Sequence, residues 1–250
     1  MSLLHSFETS GNFLFKYRGQ IPVFIFLVGL PFIYFADYKY FIANPWIEPF
    51  LAVGGVFVSL SGIFIRSYTI GTTPKGTSGR NTQKQIAESL NTKGIYSIVR
   101  HPLYVGNYLM WAGLLVFAGN IAYFLVASFM YWIYYERIMY AEERFLEKKF
   151  GQSFVDWSMK VSAFIPAFSK FEKGVMRFSF KAVLRREYSG FFAMALCFMV
   201  VDLLRYYLIH HAIDWMRISV FVAVFFLLIM LLLRTLKHHT QLLNDFQTRD

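Results

Sequence analysis

Arg100, His101 and Pro102 stand in a row, with Tyr104 two residues on, just where a long apolar run begins. Ionisable groups are costly to carry into hydrocarbon, so a cluster of them at such an edge is a candidate site. Pro102 suits the first turn of a helix. Tyr96 precedes the cluster, and Gly106 and Asn107 follow one turn on. Positions 101, 104 and 108 share a helix face, so His101, Tyr104 and Tyr108 are expected to line one pocket, with Gly106 allowing close backbone approach. A second cluster lies in YAEERFLEKKFG, residues 140–151, where Glu142 and Glu143 are adjacent. Carboxylates brought beside arginine and histidine make a polar pocket able to orient a charged ligand. Glu147 reads instead as a solvent-facing residue of a charged helix.

Bringing the two clusters together requires the chain between them to turn back. From Leu103 to Tyr135 there is no Asp, Glu, Lys, Arg or His, and Gly119-Asn120 carries the turn signal. This stretch is predicted to be a tight antiparallel helical hairpin, which returns Glu142 and Glu143 to the face where Arg100 and His101 begin. Composition places the hairpin in a membrane. Hydrophobic residues make up 56% of the 250-residue chain and charged residues only 16%, with a mean hydropathy of +0.44, too apolar for an ordinary soluble domain. The predicted class is an all-α integral membrane protein. Six spans are expected at about 20–36, 50–66, 102–118, 121–139, 190–209 and 216–234, each near the ~20 residues that cross a bilayer. The first is expected to be an uncleaved span rather than a signal peptide.

Basic residues set the expected orientation. Lys16, Arg18, Arg66, Lys75, Arg80, Lys84, Lys93, Arg100, the stretch from Arg137 to Arg186, Arg234, Lys237 and Arg249 fall on one side; Lys39 and Arg217, with Arg205 nearby, fall on the other. That bias puts both termini and the polar site in the cytoplasm. The net charge of +10 is therefore a membrane-topology signal, and no nucleic-acid partner is expected. Residues 167–187 show apolar and basic positions at helical spacing and read as a basic amphipathic helix lying on an anionic leaflet. Residues 80–94, RNTQKQIAESLNTKG, read as a solvated helix leading into the first cluster. GTTPKGTS, residues 71–78, lacks the lysine placement of a phosphate loop and reads as a polar loop. The single Cys197 lies in an apolar run, so no disulfide or thiolate site is expected. His210-His211 and His238-His239 are expected at helix ends as interfacial hydrogen bonders, with no metal bound. Asp202 and Arg205, three residues apart in the fifth span, are expected to pair.

The ordered pattern Gly94-x-Tyr96, Arg100-His101-Pro102-x-Tyr104-x-Gly106, a hairpin, then Glu142-Glu143 and Phe150-Gly151 resembles the isoprenylcysteine carboxyl methyltransferase superfamily, to which the phospholipid methyltransferases are close. The resemblance covers about residues 80–166, ending at Ile165-Pro166, and would make that stretch a methyltransferase core. Residues 1–79 would then supply N-terminal membrane helices and a loop, and residues 167–250 the amphipathic helix and two further membrane helices. Within the superfamily, residues 78–104 most resemble a bacterial branch assigned to lipid A 1-phosphate methylation, and so imply the bacterial inner membrane. Where eukaryotic members of the family often carry an arginine about four residues before the key glutamate, this chain has Ile138, with Arg137 five before Glu142.

The resemblance implies S-adenosylmethionine as cofactor, held by Leu90, Asn91, Tyr96, His101, Pro102, Leu103, Tyr104, Asn107, Glu142 and Glu143. Arg100, His101, Tyr104 and Glu142 would form the catalytic set. Methyl transfer from a sulfonium is an in-line displacement, so the protein's part is alignment and exclusion of water. An anionic acceptor needs cations to position it but no base, and Lys93, Arg100 and Arg137 are the candidates. The expected partner is a membrane lipid. A prenylcysteine carboxylate, an amine phospholipid that would need a base, and an NADPH-dependent reduction of the sterol-reductase type are the alternatives. A transporter or scaffold, with the polar clusters stabilising helix packing, is a third class.

Overall fold

A computed structural model describes residues 2–74 and 85–243. The phosphate-loop-like residues 75–78, and residues 80–84 of the polar segment, lie outside the described residues. Among the described residues nine α-helices follow in order: α1 (Leu3–Lys16), α2 (Ile21–Tyr34), α3 (Lys39–Ala43), α4 (Ile47–Thr72), α5 (Pro102–Ala118), α6 (Ile121–Phe150), α7 (Gln152–Ser158), α8 (Phe180–His210) and α9 (Ile218–His239). Among the described residues the only β pairing is an isolated bridge between Gly94 and Glu172. α4, α8 and α9 are long and apolar enough to cross a bilayer, and α1 with α2, bent by 85°, counts as a fourth span if the pair is taken as one. The six expected spans differ from this in the first and in the hairpin. α5 has 17 residues, about 26 Å of rise against a ~30 Å hydrocarbon core. The 30-residue α6 ends in a charged third.

The hairpin turn is as local chemistry predicts. Pro102 opens α5, Gly119 closes it in the left-handed conformation at φ 70°, and the Asn120 side chain caps α6 through Tyr123 N. What holds α5 in place is α4, through backbone contact. Gly55, Ser59, Gly62 and Arg66 of α4, spaced four, three and four, face Gly113, Met110 and Gly106 of α5. Ser59 Oγ donates to Met110 O at 2.6 Å. The close approach expected at Gly106 is therefore to Arg66 and Gly62 of α4. Far from Arg66 along α4, Glu48 meets Arg205 at 3.2 Å and Arg217 at 3.0 Å. Arg217 reaches Asp202 at 2.8 Å. The expected Asp202–Arg205 pair is 4.0 Å apart, one edge of a cluster that ties α4, α8 and the start of α9.

Among the described residues two expected helices differ from expectation. Residues 85–94 are not helical, and of 167–187 only the part from Phe180 is α-helical, continuing unbroken into α8. Residues 159–179 instead form a strap across the segment before α5. Arg100 N donates to Ser162 O (2.9 Å), His101 N to Ala163 O (3.1 Å), Ala167 N to Ile98 O (2.9 Å) and Gly94 N to Glu172 O (2.9 Å). Main-chain partners on a neighbouring segment replace the helix that periodicity suggested. The strap fixes the backbone of Arg100 and His101.

Candidate active site

The hairpin and the strap together bring the two clusters into contact. Glu143 accepts from Arg100 Nε at 2.9 Å and Nη2 at 3.2 Å, and its Oε1 lies 2.9 Å from His101 Nε2. Arg100 Nη1 donates to the carbonyls of Ser158 (2.6 Å) and Val161 (2.7 Å). Tyr104 donates to Glu142 Oε1 at 2.8 Å, and Glu142 Oε2 is 3.5 Å from His101 Nδ1. The Tyr104 ring is stacked against His101 at 5.7 Å and tilted against Tyr135 at 4.8 Å. His101 is only 7% exposed, whereas the glutamate side chains keep about a quarter of their surface open. The carboxylates are thus the groups presented to a ligand, and the arginine and histidine hold them.

These groups wall a cavity of about 550 Å³, within the size range of small-molecule sites. Leu90, Asn91, Tyr96, Arg100, His101, Pro102, Leu103, Tyr104, Asn107, Glu142 and Glu143 all line it. Tyr108 turns away, donating to Ser128 Oγ at 3.2 Å and packing on Phe164. Two of the three expected acceptor cations also fall elsewhere. Lys93 is exposed and off the cavity wall. Arg137 lies 3.4 Å over the Phe7 ring of α1. At ~100° per residue, Arg137 sits about 140° round the helix from Glu142, so it faces α1 rather than the site. The third, Arg100, is engaged by Glu143 and two carbonyls. Glu147 pairs with Arg144 at 2.6 Å on the outer side of α6.

Sequence reasoning missed Arg66 and Glu187, which line the same cavity. Arg66 grips Glu187 through Nε–Oε2 and Nη2–Oε1, both 2.7 Å, and its Nη1 donates to Asn107 Oδ1. Asn107 Nδ2 donates onward to Tyr135 Oη at 2.9 Å. The only sequence signal was an arginine six residues inside an apolar helix, which reads as a topology marker until its partner is known. Among the described residues, no group of three or more His, Cys, Asp or Glu is placed to hold a metal ion.

Charge in the network follows from its geometry. Burial opposes the His101 imidazolium, but its contacts with Glu142 and Glu143 outweigh burial and raise its pKa above the ordinary value. Burial likewise opposes ionised Glu143, and His101 and Arg100 outweigh it, lowering that pKa. Burial, then Glu142, pushes the Tyr96 phenol up, so it stays neutral. A raised histidine stabilises the fold fully below its unfolded pKa and loses that contribution as pH rises through the raised value. A lowered carboxylate stabilises above its unfolded pKa and loses it as pH falls through the lowered value. Melting temperature in detergent is therefore expected to be flat between these limits and to fall on both sides. His101→Gln is expected to remove the alkaline limb attributable to this site; a limb unchanged in that variant assigns it to another group.

The fold and the site define an integral membrane protein with a polar, carboxylate-walled cavity at one end of an antiparallel helix pair. The phospholipid methyltransferase family matches residues 50–153, which run from the first turn of α4 through α5 and α6 to the start of α7. The chain is similar to protein-S-isoprenylcysteine O-methyltransferase of Schizosaccharomyces pombe, 36% identical over 31% of this chain and 33% of that one. It is similar to protein-S-isoprenylcysteine O-methyltransferase B of Arabidopsis thaliana, 30% identical over 48% of this chain and 60% of that one. It is also similar to the cobalt-zinc-cadmium resistance protein CzcN of Cupriavidus metallidurans, 35% identical over 32% of this chain and 37% of that one. The matches thus span between a third and three fifths of these curated relatives. No solved structure matches the chain.

Proposed function

We propose that this protein is an S-adenosylmethionine-dependent methyltransferase acting on an anionic oxygen of a membrane-embedded acceptor. One observation carries the reading: two open carboxylates, held by Arg100, His101 and Tyr104, stand on the wall of a cavity lined also by Tyr96, Phe154 and Trp157. That donor set suits the cofactor. Glu142 and Glu143 would take its ammonium group or ribose hydroxyls, and Leu90, Asn91, Tyr96, Leu103 and Asn107 would enclose the remainder. When bound, S-adenosylmethionine supplies a methyl group made electrophilic by its sulfonium.

The protein's own residues do the positioning. Arg100 and His101 hold Glu143 ionised and aimed, Tyr104 fixes Glu142, and the apolar walls of the cavity exclude water from the displacement. An anionic oxygen is already a nucleophile, so no base is required. The acceptors consistent with this reading are a lipid phosphate, lipid A 1-phosphate among them, and a prenylcysteine carboxylate of the kind the relatives' names describe. Basic residues gathered at the site end favour a cytoplasm-facing site with both termini on that side; a bacterial inner membrane is what the resemblance of residues 78–104 to the lipid A branch implies.

The test is titration of the purified protein with S-adenosylhomocysteine, followed by mass spectrometry of total lipids with and without the protein. Saturable binding and a gain of one methyl on an anionic lipid are expected. Saturable NADPH binding with no response to S-adenosylhomocysteine would overturn the reading, and a methyl on an ethanolamine head group would overturn the choice of acceptor.

A further inference from the structure

The cavity has a second wall, beyond the region that matches the methyltransferase family. α8 begins after residue 153, where that match ends, yet Glu187, Gly190, Ala193, Met194 and Cys197 all line the cavity. Their spacing of three and four residues puts them on one stripe of the helix, about 15 Å long from Glu187 to Cys197. At its start α8 presents Arg186, the buried Glu187 carboxylate and Ser189 to the cavity, and from Gly190 to Cys197 the lining residues are Gly, Ala, Met and Cys, with no charged or hydroxyl group. The same cavity is also lined by Pro22 and Val23 from the first turn of α2 and by Trp111 of α5. The small residues leave it open: a Cβ on Gly190 would meet only Glu187 Oε2, at 3.9 Å.

At the polar end stands Arg66. Two of its nitrogens bind Glu187 and the third binds Asn107. A guanidinium has five N–H donors, so one remains on each terminal nitrogen. Its position is over-determined by three contacts, and its charge is already balanced by Glu187. A soluble anion therefore gains little there, because it meets a neutral pair. An anion tethered to hydrocarbon gains the burial of its chain as well.

We infer that this stripe of α8 is a lipid seat: one hydrocarbon chain lies along Gly190, Ala193, Met194 and Cys197, and its anionic headgroup meets Arg66. The inference rests on the methyltransferase reading only in calling the bound lipid the acceptor. It makes α8 the element that selects the acceptor, while the hairpin holds the donor. Glu187 is a positioning residue, acting through Arg66.

The experiment uses the full chain in phosphatidylcholine vesicles with a diazirine-bearing single-chain alkyl phosphate, and maps crosslinked peptides by mass spectrometry. Crosslinks are expected in residues 190–197, competed by dodecyl phosphate and by a farnesylated cysteine but not by the same concentration of inorganic phosphate. Competition by inorganic phosphate alone would overturn the need for the chain. Gly190→Leu adds bulk where the structure leaves space, and it favours the helix, so the variant is expected to fold. It is expected to cut the 190–197 yield roughly tenfold, the worth of about two buried methylenes, with S-adenosylhomocysteine affinity unchanged. The double variant R66Q/E187Q replaces the ion pair by a neutral hydrogen-bonding pair and is expected to cut it similarly. Crosslinks to the lipid-facing side of α9 serve as the internal control and should not move. A 190–197 yield unchanged in either variant overturns the seat. If the wild type binds no S-adenosylhomocysteine, the donor reading fails instead, and the crosslink map still decides the seat.

Discussion

Glu143→Gln is expected to lower S-adenosylhomocysteine affinity by roughly a hundredfold and to cost about 3 kcal/mol of stability, the range for breaking a largely desolvated ion pair. Glu143 is the one group that both Arg100 and His101 grip. An amide in its place keeps one acceptor oxygen but turns N–H groups toward two cations, leaving Arg100 with two carbonyls and no counter-charge. Glu142→Gln provides the contrast. Its partners are the Tyr104 hydroxyl and the more distant His101 nitrogen, so affinity should fall with a much smaller loss of stability. Isothermal titration and denaturant unfolding separate the two effects. If Glu143→Gln loses stability but binds S-adenosylhomocysteine as the wild type does, the carboxylate only braces the hairpin and the donor site lies elsewhere.

A large effect on folding is expected at the contact of α4 with α5. A Cβ on Gly62 would sit 2.5 Å from Gly106 O and 2.6 Å from Met110 N, both backbone atoms that cannot rotate aside. Gly62→Ala must therefore push the helices apart, at about 3 kcal/mol or more, the upper end for overpacking. Because Arg66 lies one turn further along α4, separation there also pulls it from Asn107. Gly54→Ala is the control: its Cβ would meet only Val116 Cγ1, at 4.0 Å. It should be neutral or stabilising by up to about 1 kcal/mol, since alanine is the better helix former. Unfolding in mixed detergent micelles measures both variants. Equal stability of the two would show that this helix pair tolerates a wider spacing.

Much of the site was legible because its logic is local. Pro102 starts a helix, Gly119-Asn120 ends it and starts the next, and two arms of comparable length must return Glu142 and Glu143 to the level of His101. Composition alone placed the chain in a membrane. The misplacement of Arg137 was also legible in principle, since helical phase sets it on a different face from Glu142. Residues 159–179 were a different matter. Helical periodicity is a property of the segment, but its backbone took partners on residues 94–101, and a segment's own spacing cannot report main-chain bonds it makes to another part of the chain.

The amino-acid sequence by itself thus determined the membrane class, the hairpin and the pairing of its two polar clusters, because each depends on residue spacing within one or two helices. Only the tertiary structure decided that Arg66 meets Glu187, 121 residues away, and that α8 closes the cavity. The physical reason is that a helix fixes which side chains share a face, whereas the partner for that face is chosen by how closely backbones can approach. In this protein the glycines of α4 and α5 make that choice.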